Sequence, residues 1–100
     1  MTGRQLNKEI FGSFEKVKNM ENDEGRAIPN QFIITTDKGS VFQSYWSVIA
    51  AYANGKIYLD ENKWDYSVTT GKYRNRFLGI DKKETLKQIK EGKIILANLN

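Results

Sequence analysis

Asn54-Gly55 lies between two apolar runs, Val48–Ala53 and Lys56–Asp60. Asn-Gly tolerates positive φ at both central positions of a type I′ turn, so the pattern predicts a β-hairpin with a two-residue loop. That loop length sets the register: Tyr52 faces Ile57 and Ala50 faces Leu59. Val48, Ala50, Tyr52, Ile57 and Leu59 then share one face of a sheet. Upstream, Phe32–Thr36 and Ser40–Tyr45 are rich in β-branched and aromatic residues, and Asp37-Lys38-Gly39 between them has turn chemistry. The expectation is a three-stranded antiparallel meander with a bend near Tyr45-Trp46-Ser47.

The flanks read differently. From about Gln5 to Met20, the residues Leu6, Ile10, Phe14 and Val17 recur at spacings of four, four and three, which predicts an amphipathic N-terminal helix. Glu21–Arg26 is a polar, acidic loop, and Pro29 biases Ile28 toward extended backbone. After Asp60, a short helix is expected to run to Leu78, capped by Ser67, Thr69 or Thr70 and ended by Gly79. Asp81 and Glu84 have the spacing of a capping box, opening a second short helix that carries Leu86 and Ile89 and stops at Gly92. Lys93–Ala97 is a candidate C-terminal strand for an edge of the meander. The fold class so read is α+β: a small antiparallel sheet, three-stranded with a candidate fourth strand, an N-terminal helix and two short C-terminal helices. At 100 residues, the chain has room for one domain spanning 1–100.

The chain contains neither cysteine nor histidine. This excludes disulfides, thiol nucleophiles, Cys/His zinc sites and imidazole general bases. Asp60, Glu61 and Asp65 match no metal-loop spacing and are expected to be turn or cap carboxylates. No phosphate-cradling glycine motif is present, and Thr69-Thr70-Gly71-Lys72 is a weak match to Thr-x-x-Lys. No enzyme, cofactor or metal is expected. The opening Met1–Leu6 has no apolar segment behind its positive charge, and no apolar run approaches membrane-spanning length. The expected setting is a reducing cytoplasm, away from membranes.

Charge is distributed unevenly. Residues 1–71 hold 8 Lys/Arg against 9 Asp/Glu, a net −1, whereas residues 72–100 hold 8 against 3, a net +5. A clustered positive field attracts polyanions or an acidic protein surface. Lys72-Tyr73-Arg74-Asn75-Arg76-Phe77 interleaves cations with aromatics, a composition that can follow a phosphate backbone while stacking bases. On a helix, Tyr73 and Phe77 share a face whose simplest use is docking on the sheet, leaving Lys72 and Arg76 exposed. Candidate binding residues are Lys72, Arg74 and Arg76, extended by Lys82, Lys83 and Lys87, with Lys90 beyond. Trp64 and Tyr66 join them as interface-type aromatics, and Tyr45, Trp46, Trp64 and Tyr66 together are a second candidate surface, two of the four being expected in the core. The alternative is an ordinary solvated helix face.

Several segments are similar to small uncharacterised proteins of phages and plasmids of Gram-positive bacteria. They are Val41–Tyr45, Ser47-x-Ile49-Ala50, Gly55–Asp60 and Trp64-Asp65-Tyr66-Ser67 with Lys72-Tyr73-Arg74 and Phe77-Leu78-Gly79. The resemblance covers residues 40–100, with Glu84-Thr85 and Leu96–Asn100 at its end. It implies origin in a mobile element and transfers no site residue. Small cysteine-free proteins of that origin often act stoichiometrically. The expected function is therefore a non-enzymatic binding protein, with inhibition of a host defence nuclease in anti-CRISPR fashion as its sharpest form. The partner would be a host or defence protein, with a nuclease complex included. A nucleic-acid-binding accessory protein of replication or transfer is the alternative.

Overall fold

A computed structural model describes residues 11–100. Six strands form one sheet in sequence order: β1 (Phe14–Glu21), β2 (Ala27–Thr36), β3 (Gly39–Ser44), β4 (Ser47–Ala53), β5 (Lys56–Asp60) and β6 (Ile94–Ala97). The first five form an antiparallel meander, and β6 adds in parallel to β5. Between β5 and β6 run two helices, α1 (Val68–Leu78) and α2 (Lys82–Lys90). The fold is α+β, but the expected three-stranded meander with an N-terminal helix is overturned by a six-stranded mixed sheet.

The N-terminal helix fails from Gly12 onward, and the part of that expectation on residues 1–10 lies outside the described residues. Gly12 has φ 76°, a left-handed conformation that breaks a helix, and Ser13 donates its N–H to the Asp37 carboxylate at 2.9 Å. A Cβ on Gly12 would collide with that same carboxylate. Residues 14–21 then pair with β2, Val17 opposite Ile34 and Asn19 opposite Phe32. The apolar spacing that resembled a helical stripe is an edge strand interrupted by a bulge at Glu15.

The hairpin register at Asn54-Gly55 is as expected: Tyr52 pairs with Ile57 and Ala50 with Leu59. Both turn residues have positive φ, 54° and 76°, as a type I′ turn demands. Val48 departs from its expected face. A bulge between the pairs Phe42↔Ala50 and Gln43↔Val48 makes Ile49 the extra residue, so Ile49 joins Ala50 on one face and Val48 turns to the other.

Each face of the sheet has its own core. On the helix face, Phe42, Ile49, Ala50, Leu59 and Ile94 pack beneath Leu78, with Tyr73, Phe77 and Ile89 at the margin. Phe77 stacks on Phe42 at 5.7 Å between centroids and tilts against Tyr52 at 5.3 Å. Tyr73 and Phe77 thus dock on the sheet. On the tail face, Ile34, Val41, Val48, Ala51 and Ala53 are closed by Phe11 and Leu99. Leu99 is held because its N–H donates to Asp60 at 2.8 Å, and where β4 outruns β5 the Asn100 carboxamide takes both backbone groups of Val48.

The helix ends follow their capping residues. Ser67 accepts from the Thr70 N–H, Asp81 accepts from the Glu84 N–H, and Gly79 ends α1 at φ 74°. Glu84 accepts from the Gln88 side chain rather than reaching back to the cap. No helix among the described residues is long and apolar enough to cross a membrane.

Candidate binding site

The basic strip expected on α1 divides. Lys72 and Arg76 are exposed, whereas Arg74 is 1% exposed and belongs to the interior. Its guanidinium donates to the Trp64 carbonyl at 2.7 Å, to Asp65 at 3.1 Å and to the Asn75 side chain at 2.9 Å. It also lies over the Trp64 ring, 5.1 Å from the centroid. Arg74 and Trp64 therefore tie the loop after β5 to α1; Arg74 presents no contact surface, and Trp64 is half-buried. Thr70, one turn before Arg74, shares a buried hydroxyl hydrogen bond of 3.0 Å with Ser44 on β3.

Of the remaining cations, Lys82 pairs with Asp65 at 2.7 Å, so Asp65 is shared between α1 and α2. The hydrogen bond from Lys82 holds the Asp65 carboxyl below its ordinary value; burial opposes this, and Arg74 adds to it. Arg76 reaches Asp23 in the β1–β2 turn at 3.5 Å. Lys83, Lys87 and Lys90 are exposed on α2. Tyr66 is half-exposed under the Lys63 ammonium.

The acidic candidates resolve into structural roles. Asp60, expected as a solvated turn or cap carboxylate, does cap the following turn but is buried, accepting from the N–H groups of Asn62, Lys63 and Leu99. Three such donors satisfy the carboxylate without a counter-ion. No group of acidic residues suited to a metal occurs among the described residues.

A different surface has the geometry of a docking site. The β3–β4 connection is a two-residue turn, Tyr45-Trp46, between paired Ser44 and Ser47. Tyr45 holds φ 55°, a conformation that is strained for an aromatic residue. Two hydrogen bonds fix it: its N–H donates to the Asn30 carbonyl at 2.7 Å, and its carbonyl accepts from the Gln43 side chain at 2.8 Å. Asn30 is itself at φ 63°. The result places Trp46 95% exposed on a turn held by both of these hydrogen bonds.

Beside it, on the tail face, is a cleft of about 370 Å³ lined by Phe14, Val17, Asn30, Phe32, Ile34, Gln43, Tyr45 and Trp46. None of these side chains is charged, in a chain of net charge +4. Phe14 and Val17 are each more than half exposed. Aromatic composition alone marks Tyr45 and Trp46 in the sequence, whereas the helical spacing of Phe14 and Val17 conceals that they belong to a strand lining the same cleft.

These features define an α+β module with an uncharged aromatic cleft on one sheet face and cationic helices on the other. The chain belongs to the family described as "Family of unknown function (DUF8033)", which matches residues 15–94, from β1 through both helices to the first residue of β6. No curated protein and no solved structure matches it.

Proposed function

We propose that this chain is a non-enzymatic binding protein whose partner is a protein, engaged through the Trp46 cleft. The observation that carries the reading is Trp46 itself, almost wholly in water on a turn held by two hydrogen bonds beside an uncharged apolar cleft. Exposed apolar surface costs solubility, and rigid aromatics lose little entropy on binding, so such a turn is suited to a hot spot. Placing the protein in the cytoplasm of a bacterium, with a host protein as partner and a defence nuclease as its sharpest form, extends the mobile-element resemblance and belongs to the same proposal.

The test compares the wild type with Trp46→Ala in nuclease-treated bacterial lysate. One stoichiometric protein partner, lost on Trp46→Ala while the melting temperature holds, supports the reading; partners that vanish with the nucleic acid count against it. Nucleic-acid binding is the second reading, favoured by the exposed Lys72, Lys83 and Lys87 with Arg76, Lys82 and Tyr66 nearby in sequence. It requires tight binding to DNA or RNA that weakens steeply with salt, by about one unit of log–log slope per phosphate contact.

A further inference from the structure

The cleft reaches one edge of the sheet, because Phe14 and Val17 belong to β1, which among the described residues pairs only with β2. Directly paired residues share a face, so Val17 opposite Ile34 and Asn19 opposite Phe32 lie on the tail face, toward the cleft. Lys18 opposite Ile33 and Lys16 opposite Thr35 lie on the helix face. The regular stretch 16–19 is thus apolar or amide on one side and cationic on the other. Glu15 is displaced into the bulge, and Glu21 lies beyond the second irregularity. Neither Lys16 nor Lys18 is ion-paired among the described residues.

This pattern discriminates among strands that could add to the edge. In a second copy paired antiparallel about Val17, Lys16 would lie opposite Lys18 at both ends; paired about Lys18, that residue would lie opposite itself. Like charges directly opposite destabilise a ladder, so self-pairing is opposed. Resting on the protein-binding reading above, we propose that β1 accepts an extended segment of a partner protein in which apolar and acidic residues alternate. Its carboxylates face Lys16 and Lys18, and its apolar side chains continue the floor formed by Phe14 and Val17. Backbone hydrogen bonds supply affinity, and the alternation supplies specificity. Addition of one strand widens that floor by about 4.8 Å.

The experiment uses the full chain and two blocked synthetic peptides, one alternating valine with glutamate and the other valine with lysine. The valine–glutamate peptide is expected to bind at least about tenfold more tightly and to slow amide exchange at residues 16–19. The double variant Lys16→Glu/Lys18→Glu is expected to invert that preference, and because both sites are exposed its melting temperature should be near that of the wild type. Equal binding of the two peptides, binding of neither, or a preference unchanged in the double variant overturns the proposal. A lysate partner lost on Trp46→Ala but indifferent to the double variant overturns the edge while the cleft reading stands. A partner indifferent to Trp46→Ala overturns the cleft reading itself.

Discussion

On the helix face, Phe42, Ala50, Leu59 and Ile94 lie beneath side chains from α1, and Ile89 of α2 completes the cover. On the tail face, Phe11 and Leu99 reach Val41, Val48 and Ala51, while Phe14, Val17 and Trp46 are exposed. Topology accounts for the difference. The β5-to-β6 crossover carries its helices over β3, β4 and β6, and the C-terminal tail returns beside β4 and β5. Among the described residues, neither covering element buries Phe14 and Val17 at the outer edge of the tail face. An antiparallel meander whose edge strand outreaches its cover acquires an open apolar surface without a separate binding loop.

Truncation in each region should break this contrast by different amounts. Phe42→Ala removes a fully buried ring stacked on Phe77 and is expected to cost about 3–5 kcal/mol, read by urea denaturation. Trp46→Ala, on an exposed turn, should stay within about 0.5 kcal/mol. A comparable loss for both variants would mean that the open face is also core. Next in size is Asn100→Ala, which strips Val48 of two hydrogen bonds on the tail face. A loss of about 1–3 kcal/mol is expected, with faster amide exchange at Val48. An unchanged protein would show the tail to be dispensable for that core.

The smallest effect concerns acid. Asp65 has its folded carboxyl value lowered chiefly by Lys82, so its contribution is present above the ordinary carboxylate range and lost as pH falls through the folded value. Lys82→Ala should therefore lower the melting temperature at neutral pH and narrow the gap between neutral and strongly acidic melts. Equal gaps in variant and wild type would remove Asp65 from the account of how the helices are held.

The meander's centre was legible because turn chemistry acts locally. Asn54-Gly55 specifies its own backbone, and the pairs Tyr52↔Ile57 and Ala50↔Leu59 follow from loop length. Val48 was misplaced because a bulge leaves no mark in an apolar run such as Val48-Ile49-Ala50-Ala51, where every position is equally suited to either face. The β1 misreading has the opposite cause. Phe14 and Val17 have helical spacing, and their pairing with Thr36 and Ile34 depends on partners about twenty residues away. For the binding surface, composition identified Trp46 but could not separate Arg74 from Arg76. Only the fold buries one against the Trp64 ring and leaves the other beside Asp23.

The parallel pairing of β6 with β5 has a consequence for the order of folding. Turns of two residues join β2 to β3, β3 to β4 and β4 to β5, so those contacts close short loops. The β5–β6 pair instead closes a loop of about 33 residues, at an entropic cost of about 3 kcal/mol by the logarithmic rule. The hairpins should therefore form early, and β6 should dock late, once α1 and α2 are in place. Until then β5 is a bare edge, and the moment of greatest exposure to aggregation falls between the closing of the meander and the arrival of Ile94.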